Sequence, residues 1–378
     1  MYIYVEVLLL SLLFASALME IRRFNSSVIE PFGLKLKSKY IEYGLLFLSM
    51  APFIVLSGVR YDVGVDYFFT YTKIYDYVAQ GLTHAQVDTL WNCEPGFYLL
   101  NKVIIRMGGG YVRLFTITSA IIISLFWIAF YQQSDNLCLS ILLFFCAETY
   151  FITLAYVRQF IALAVIFYGL KYIGKNDVKS ILKFIICIVI AVSFHKSAIV
   201  MLPLIIAPYV KLHPSVLAAA IFVISLYKDR LEALVITLLR YTPYANYIGS
   251  VYQSSSRFYS TRPIAYIVVF VLACFIYKKC KKDRKYHMML NVTALLILIT
   301  VNFDIMPQLD RITWYFEAII ALFIPYILKN IKNVWLRKVI AIGVITMFSI
   351  FTYHNVVVCL SHGVTPYRIV FAPDMVFH

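Results

Sequence analysis

Charge is what this 378-residue chain is short of. Only 14% of its residues are Asp, Glu, Lys or Arg, and the 19 acids are outnumbered by 34 bases. An average globular domain carries about 25% charged residues. With 62% hydrophobic residues and a mean hydropathy of +0.81, a soluble globule is excluded. Strict apolar–polar alternation is also missing, which excludes an outer-membrane barrel. Cysteine spacing gives no metal site. Of Cys93, Cys138, Cys146, Cys187, Cys274, Cys280 and Cys359, five fall in or beside apolar runs and read as packing. Cys93 and Cys359 fall in segments expected outside the cytoplasm, where pairing is chemically open to them. There is no Asp-x-Asp, no nucleotide motif, no paired-carboxylate spacing, no low-complexity stretch and no internal repeat. These absences argue against a sugar-nucleotide donor, a hydrolase and an inverted-repeat transporter. No metal and no cofactor is expected.

What the chain does have is apolar runs near the ~20 residues that cross a hydrocarbon core. Backbone groups in lipid must be satisfied within the segment, so the runs are helices. An all-α polytopic membrane protein follows, one transmembrane domain over 1–378 with about twelve spans. These are expected near 2–19, 41–58, 111–130, 136–153, 155–172, 180–194, 198–210, 215–228, 263–277, 287–303, 312–328 and 336–353. Basic residues crowd one set of alternate loops, for example Lys171, Lys175, Lys179 and Lys183, then Lys278 to Lys285. The positive-inside rule makes those loops cytoplasmic and puts both termini outside. Glu6 in the first run and Arg22-Arg23 after it argue against a cleaved signal peptide. The net charge of +15 is therefore topogenic and does not imply nucleic acid.

Two external segments exceed a turn, 60–110 and 229–262. The second is rich in Tyr and Ser, from Tyr241 to Ser260, a composition that suits sugars and equally a membrane interface. In the first, Tyr67, Tyr71 and Tyr75 share one helical face. Asp66 stands at a helix N-cap position and reads either as a cap or as a site residue. Arg60, at a span end, either snorkels or marks a site. Glu94 precedes Pro95 and suits a helix start or a general base. Arg158-Gln159 interrupts an apolar run without a carboxylate at ±3 or ±4, so it needs a tertiary partner such as Glu148, or an anion. His195, before Lys196, is a structural histidine or a catalyst. Asp310-Arg311 opens a late span, either as a local pair or as part of the same ionisable set. By the loop charges, these residues gather on the non-cytoplasmic side.

In their order, Arg60-Tyr-Asp-Val-Gly64-Val-Asp66-Tyr67 with Tyr71, Glu94-Pro-Gly-Phe97, Arg158-Gln159, His195-Lys-Ser197 and Arg311 with Tyr315-Phe316 resemble the EpsG family of Wzy-type bacterial polysaccharide polymerases. The resemblance runs from about residue 40 to 330 and departs at Lys196. It implies a lipid-linked glycosyltransferase of GT-C-like architecture in the bacterial inner membrane, its site facing the periplasm or exterior. Its substrate would be an undecaprenyl-diphosphate-linked oligosaccharide repeat unit. A flippase and a polysaccharide co-polymerase that sets chain length would be partners, alongside membrane lipid. On this basis Glu94, Asp66 and His195 are the candidates for handling the acceptor hydroxyl. Arg60, Arg158, Gln159, Arg311, Tyr67, Tyr71 and Tyr315 are the candidates for substrate binding. A flippase or a membrane O-acyltransferase is the alternative.

Overall fold

The computed structural model describes residues 1–24, 28–29, 36–241, 245, 262–302 and 307–377. Most of the Tyr- and Ser-rich segment up to Ser260 lies outside the described residues. Two compact units emerge.

The first unit comprises residues 1–171, 182–199 and 352–378. It opens with two long apolar helices, α1 (Tyr2–Phe24) and α2 (Ser38–Gly58). Short helices α3 (Thr72–Ala79), α4 (His84–Trp91) and α5 (Pro95–Arg106) fill the 60–110 segment. The chain then re-enters as α6 (Tyr111–Gln133), α7 (Leu137–Cys146), α8 (Thr149–Ala155), α9 (Val157–Gly169) and α10 (Val178–Phe194). α2 packs between α1 and α6, and α6 packs on α9. Hydroxyls join these helices where the hydrophobic effect does not separate helix from lipid. Ser11 Oγ donates to the Ser49 carbonyl at 2.7 Å, and the Trp127 indole donates to Ser49 Oγ at 3.0 Å.

The second unit comprises residues 172–181 and 200–351. It holds α11 (Pro214–Ser225), α12 (Lys228–Leu239), α13 (Arg262–Cys280), α14 (Arg284–Asn302), α15 (Pro307–Glu317) and α16 (Ile320–Asn330). It also holds most of α17 (Val334–Tyr353). In its interior the Glu317 carboxylate accepts from Tyr266 Oη at 2.5 Å and from Thr313 Oγ1 at 3.1 Å.

The protein is helical and polytopic. Among the described residues six helices are long and apolar enough to cross a membrane, or seven if the bent pair α7–α8 forms one span. They fall at seven of the twelve expected positions. At four of the others the helices are shorter: Val157–Gly169 has 13 residues, Val178–Phe194 has 17, Lys196–Ile205 has 10 and Pro214–Ser225 has 12. At the fifth, α14 is 19 residues long but opens on Arg284 and Lys285.

Candidate functional site

Helix breaks build the site. α7 and α8 are bent by 56° around Glu148, whose φ is 67°. α8 ends at Ala155, and α9 starts at Val157 with Tyr156 between them. Helix ends inside an apolar segment expose carbonyl and amide groups that need partners. Arg60 supplies one side of the second break. Its Nη2 donates to the Leu154 carbonyl at 3.2 Å, and its Nη1 donates to the Ser57 carbonyl at 2.9 Å. The guanidinium lies over the Phe115 ring, 4.2 Å from its centroid, and is 1% exposed. Gly64 presses on the same carbonyl: a Cβ there would stand 2.3 Å from the Leu154 oxygen. On the other side, the Tyr71 hydroxyl sits against the backbone N–H groups of Val157 and Arg158.

This arrangement presents Arg158 from the first turn of α9. Its Nη1 donates to the Asn92 carbonyl at 2.6 Å and to Glu94 Oε2 at 2.7 Å. Asn92 ends α4 in the left-handed conformation, φ 47° and ψ 51°, a common role for asparagine. Glu94 then stands at the N-cap of α5 with Pro95 behind it, yet its side chain makes no cap bond. Instead its Oε1 lies 3.1 Å from His195 Nδ1 and accepts the Lys196 backbone N–H at 3.4 Å. His195 stands between the end of α10 and the 3-10 helix Lys196–Ile205.

One carboxylate, 5% exposed, thus holds an arginine that is 15% exposed and a histidine that is 26% exposed. Burial pushes the Glu94 carboxyl up. The His195 hydrogen bond and the Arg158 charge together outweigh burial and leave it below the usual carboxylate range. A lowered folded-state value means that this pairing stabilises above the ordinary carboxylate range and is lost only as the pH falls through the lowered value. Two ends of the cluster stay open to a ligand. Among the described residues Nη2 and Nε of Arg158 and Nε2 of His195 have no hydrogen-bond partner. A carboxylate only accepts, so Nδ1 of His195 carries its proton when the ring is neutral. Nε2 then keeps its lone pair.

The expectations divide accordingly. Glu94, Arg158 and His195 come together. Asp66 is half-buried, accepts from Thr70 Oγ1 at 3.3 Å, and lies within electrostatic reach of Arg158 and Tyr71. Its side chain makes no N-cap bond to the π-helix Tyr67–Tyr71 that follows. Tyr67, Tyr71 and Tyr75 share one side, against Phe115, Phe115 and Tyr111 of α6 respectively. Tyr67 and Tyr71 are buried at 1% and 2%, and Arg60 and Gln159 are buried too. Arg311 is exposed and Tyr315 buried on α15 of the second unit.

Glu148 is not the partner of Arg158. The break at Tyr156 separates the two, and Glu148 takes His362 and Asn355 instead. Cys93 and Cys359 are both free thiols. Sequence reasoning misses Asn355 and His362, because two isolated polar residues near the C-terminus carry no spacing pattern. Asn92 has a local signal, as an asparagine just ahead of Cys93-Glu94-Pro95.

The family model for EpsG matches residues 43–369, a range that contains Arg60, Asp66, Glu94, Arg158, His195 and His362. The chain belongs to the EpsG family. EpsG is a family of Wzy-type polysaccharide polymerases, which makes the chain a membrane protein of polysaccharide biosynthesis. No curated protein and no solved structure matches the chain. Every residue of the Glu94 cluster thus lies within the EpsG match.

Proposed function

We propose that this EpsG protein polymerises undecaprenyl-diphosphate-linked oligosaccharide repeat units into a surface polysaccharide at the outer face of the bacterial inner membrane. The observation that carries the proposal is Glu94 holding Arg158 and His195 at once, each with its reactive end free. In the reaction, an acceptor sugar hydroxyl attacks the anomeric carbon of the growing chain. The bond from that carbon to the diphosphate oxygen breaks, and its electron pair stays on the diphosphate. Nε2 of His195 takes the hydroxyl proton, while Glu94 orients the ring and offsets the imidazolium charge. The unused nitrogens of Arg158 face the charge that grows on the diphosphate, where a fixed donor contributes most. Asp66 accepts a hydrogen bond from the acceptor sugar. The lysine-rich alternate loops support the outward orientation. A GT-C-like architecture of about twelve passes, a flippase supplying the substrate and a co-polymerase setting chain length complete the proposal.

Arg158→Ala tests it. With the protein present at normal levels, polymer should vanish and a single lipid-linked repeat unit should accumulate in the outer leaflet, read by mass spectrometry of glycans resolved by leaflet. Normal polymer would sink the assignment. A unit trapped in the inner leaflet would mean a flippase, and full-length polymer lacking acyl groups an acyltransferase. His195→Ala should lower the polymerisation rate by roughly 10²–10⁴-fold, the usual worth of a positioned proton acceptor. A rate within a few-fold of wild type would remove His195 from that role.

A further inference from the structure

The first unit contains a second buried acid–histidine contact. His362 Nε2 lies 3.0 Å from Glu148 Oε1, and Asn355 Nδ2 donates to Glu148 Oε2 at 3.0 Å. The His362 and Glu148 side chains are 3% and 5% exposed. Both residues occupy the left-handed backbone region, φ 66° and 67°, which side chains with a Cβ rarely enter. Strain of this kind persists where surrounding structure imposes it, and it clusters at functional sites.

The backbone around His362 shows what is held. Its carbonyl accepts the Val65 N–H at 2.9 Å, and the Gly363 carbonyl accepts the Gly64 N–H at 2.8 Å. The same stretch of chain is sewn along the Val59–Asp66 motif and the α2 end. Tyr61 N–H donates to the Arg368 carbonyl at 3.0 Å, and Val370 N–H to the Val59 carbonyl at 2.9 Å. Tyr4 Oη donates to the Val364 carbonyl at 2.6 Å, and Tyr367 Oη to the Leu56 carbonyl at 2.5 Å. Of all these contacts, the ones from His362 and Gly363 reach the turn immediately before Asp66. Asp66 is a second carboxylate, after Glu94, within electrostatic reach of Arg158.

We infer that Glu148 and His362 are positioning residues: their contact pins the C-terminal segment against the Gly64–Val65 turn and thereby fixes where Asp66 stands. The link from this contact to Asp66 runs through the two backbone hydrogen bonds of the Gly64–Val65 turn. The inference rests on the reading of the Arg158 cluster as the reaction site.

Hydrogen exchange on the full-length protein in nanodiscs tests it. In His362→Ala, amides of Gly64–Tyr67 should exchange about tenfold faster while α6 is unchanged, since losing a local clamp opens a local segment. His362→Gln, which keeps an N–H donor toward Glu148, should restore protection. Polymer made in cells should fall with His362→Ala and return with His362→Gln. Wild-type exchange of Gly64–Tyr67 in His362→Ala overturns the inference. So does an equal rise throughout α1, α2 and α6, which would make the contact a general fold support. Local opening with wild-type polymer also overturns it, because the turn would then not serve the reaction. Failure of the underlying reading shows separately, as normal polymer from Arg158→Ala.

Discussion

Glu94→Ala is expected to leave a membrane-inserted protein that makes no detectable polymer, a loss larger than that of His195→Ala. The carboxylate has two dependants. Without it, the largely buried Arg158 guanidinium keeps the Asn92 carbonyl but loses its ion-pair partner, and His195 loses the acceptor that fixes its tautomer. Removing one partner of a buried ion pair costs roughly 3–5 kcal/mol, because the other charge is left uncompensated. Losing the orienting carboxylate of a histidine base costs about 10⁴-fold in rate in a serine-protease triad. Glu94→Gln separates the two contributions. It keeps the size and one carbonyl acceptor but removes the charge, so the protein should stay folded while activity remains low. The measurement is polymer yield per molecule of membrane protein, with thermal unfolding followed in parallel. Wild-type polymer from Glu94→Ala would show that the cluster is architectural. In wild type the folded-state contribution of Glu94 should hold down to the ordinary carboxylate range and fade only at lower pH, because its carboxyl is held below that range.

Gly64→Ala should be the most damaging small substitution in the first unit. The residue sits at φ +95°, and an added Cβ would stand 2.3 Å from the Leu154 carbonyl oxygen and 2.8 Å from its carbon. Both neighbours are backbone, so a rotamer change cannot relieve the clash. The carbonyl they belong to is the one Arg60 caps, so the displacement would open the α8–α9 break and move Arg158. Gly81→Ala is the control. Its φ of +87° is just as unfavourable for alanine, but nothing lies within 4 Å of the new methyl. That substitution should cost about 1–2 kcal/mol, the penalty for a left-handed residue with a Cβ. Gly64→Ala should cost several kcal/mol in thermal unfolding, or prevent accumulation of the protein. Equal effects at the two glycines would mean that the close approach to Leu154 contributes nothing.

Much of the helical class is legible because twenty-residue apolar runs have few other physical solutions. Span lengths are less legible. Hydropathy runs a single expected span, 136–153, across the 56° bend at Glu148. The junction of α8 and α9 is closer to legible, since the expected spans 136–153 and 155–172 meet beside it. The candidate site is legible as residue types: Glu94, Arg158 and His195 each stand out as ionisable groups beside apolar runs. Their contacts are not, because they come from residues 64 and 101 positions apart and depend on the Asn92 turn and the Glu94 backbone. Arg60 is legible as a charged residue but not as a partner of helix-end carbonyls. Glu148 stands out in the sequence but its partners do not, since Arg158 is near along the chain and His362 lies more than two hundred residues away.

The sewing of residues 352–377 onto the start of the chain also bears on how the protein is made. The first unit is interrupted in sequence by residues 200–351. A ribosome adding about 5–20 residues per second needs roughly 8–30 s to cross that interval. During that time α1, α2 and α6 are in place but the Gly64–Asp66 turn lacks its carbonyl acceptors and the Glu148 carboxylate lacks its histidine. Maturation of the first unit therefore waits until residues 352–377 have been made. A chain cut after Tyr353 would keep the long apolar helices α1, α2 and α6 yet leave the Gly64–Val65 turn and Glu148 without the partners that residues 354–377 supply.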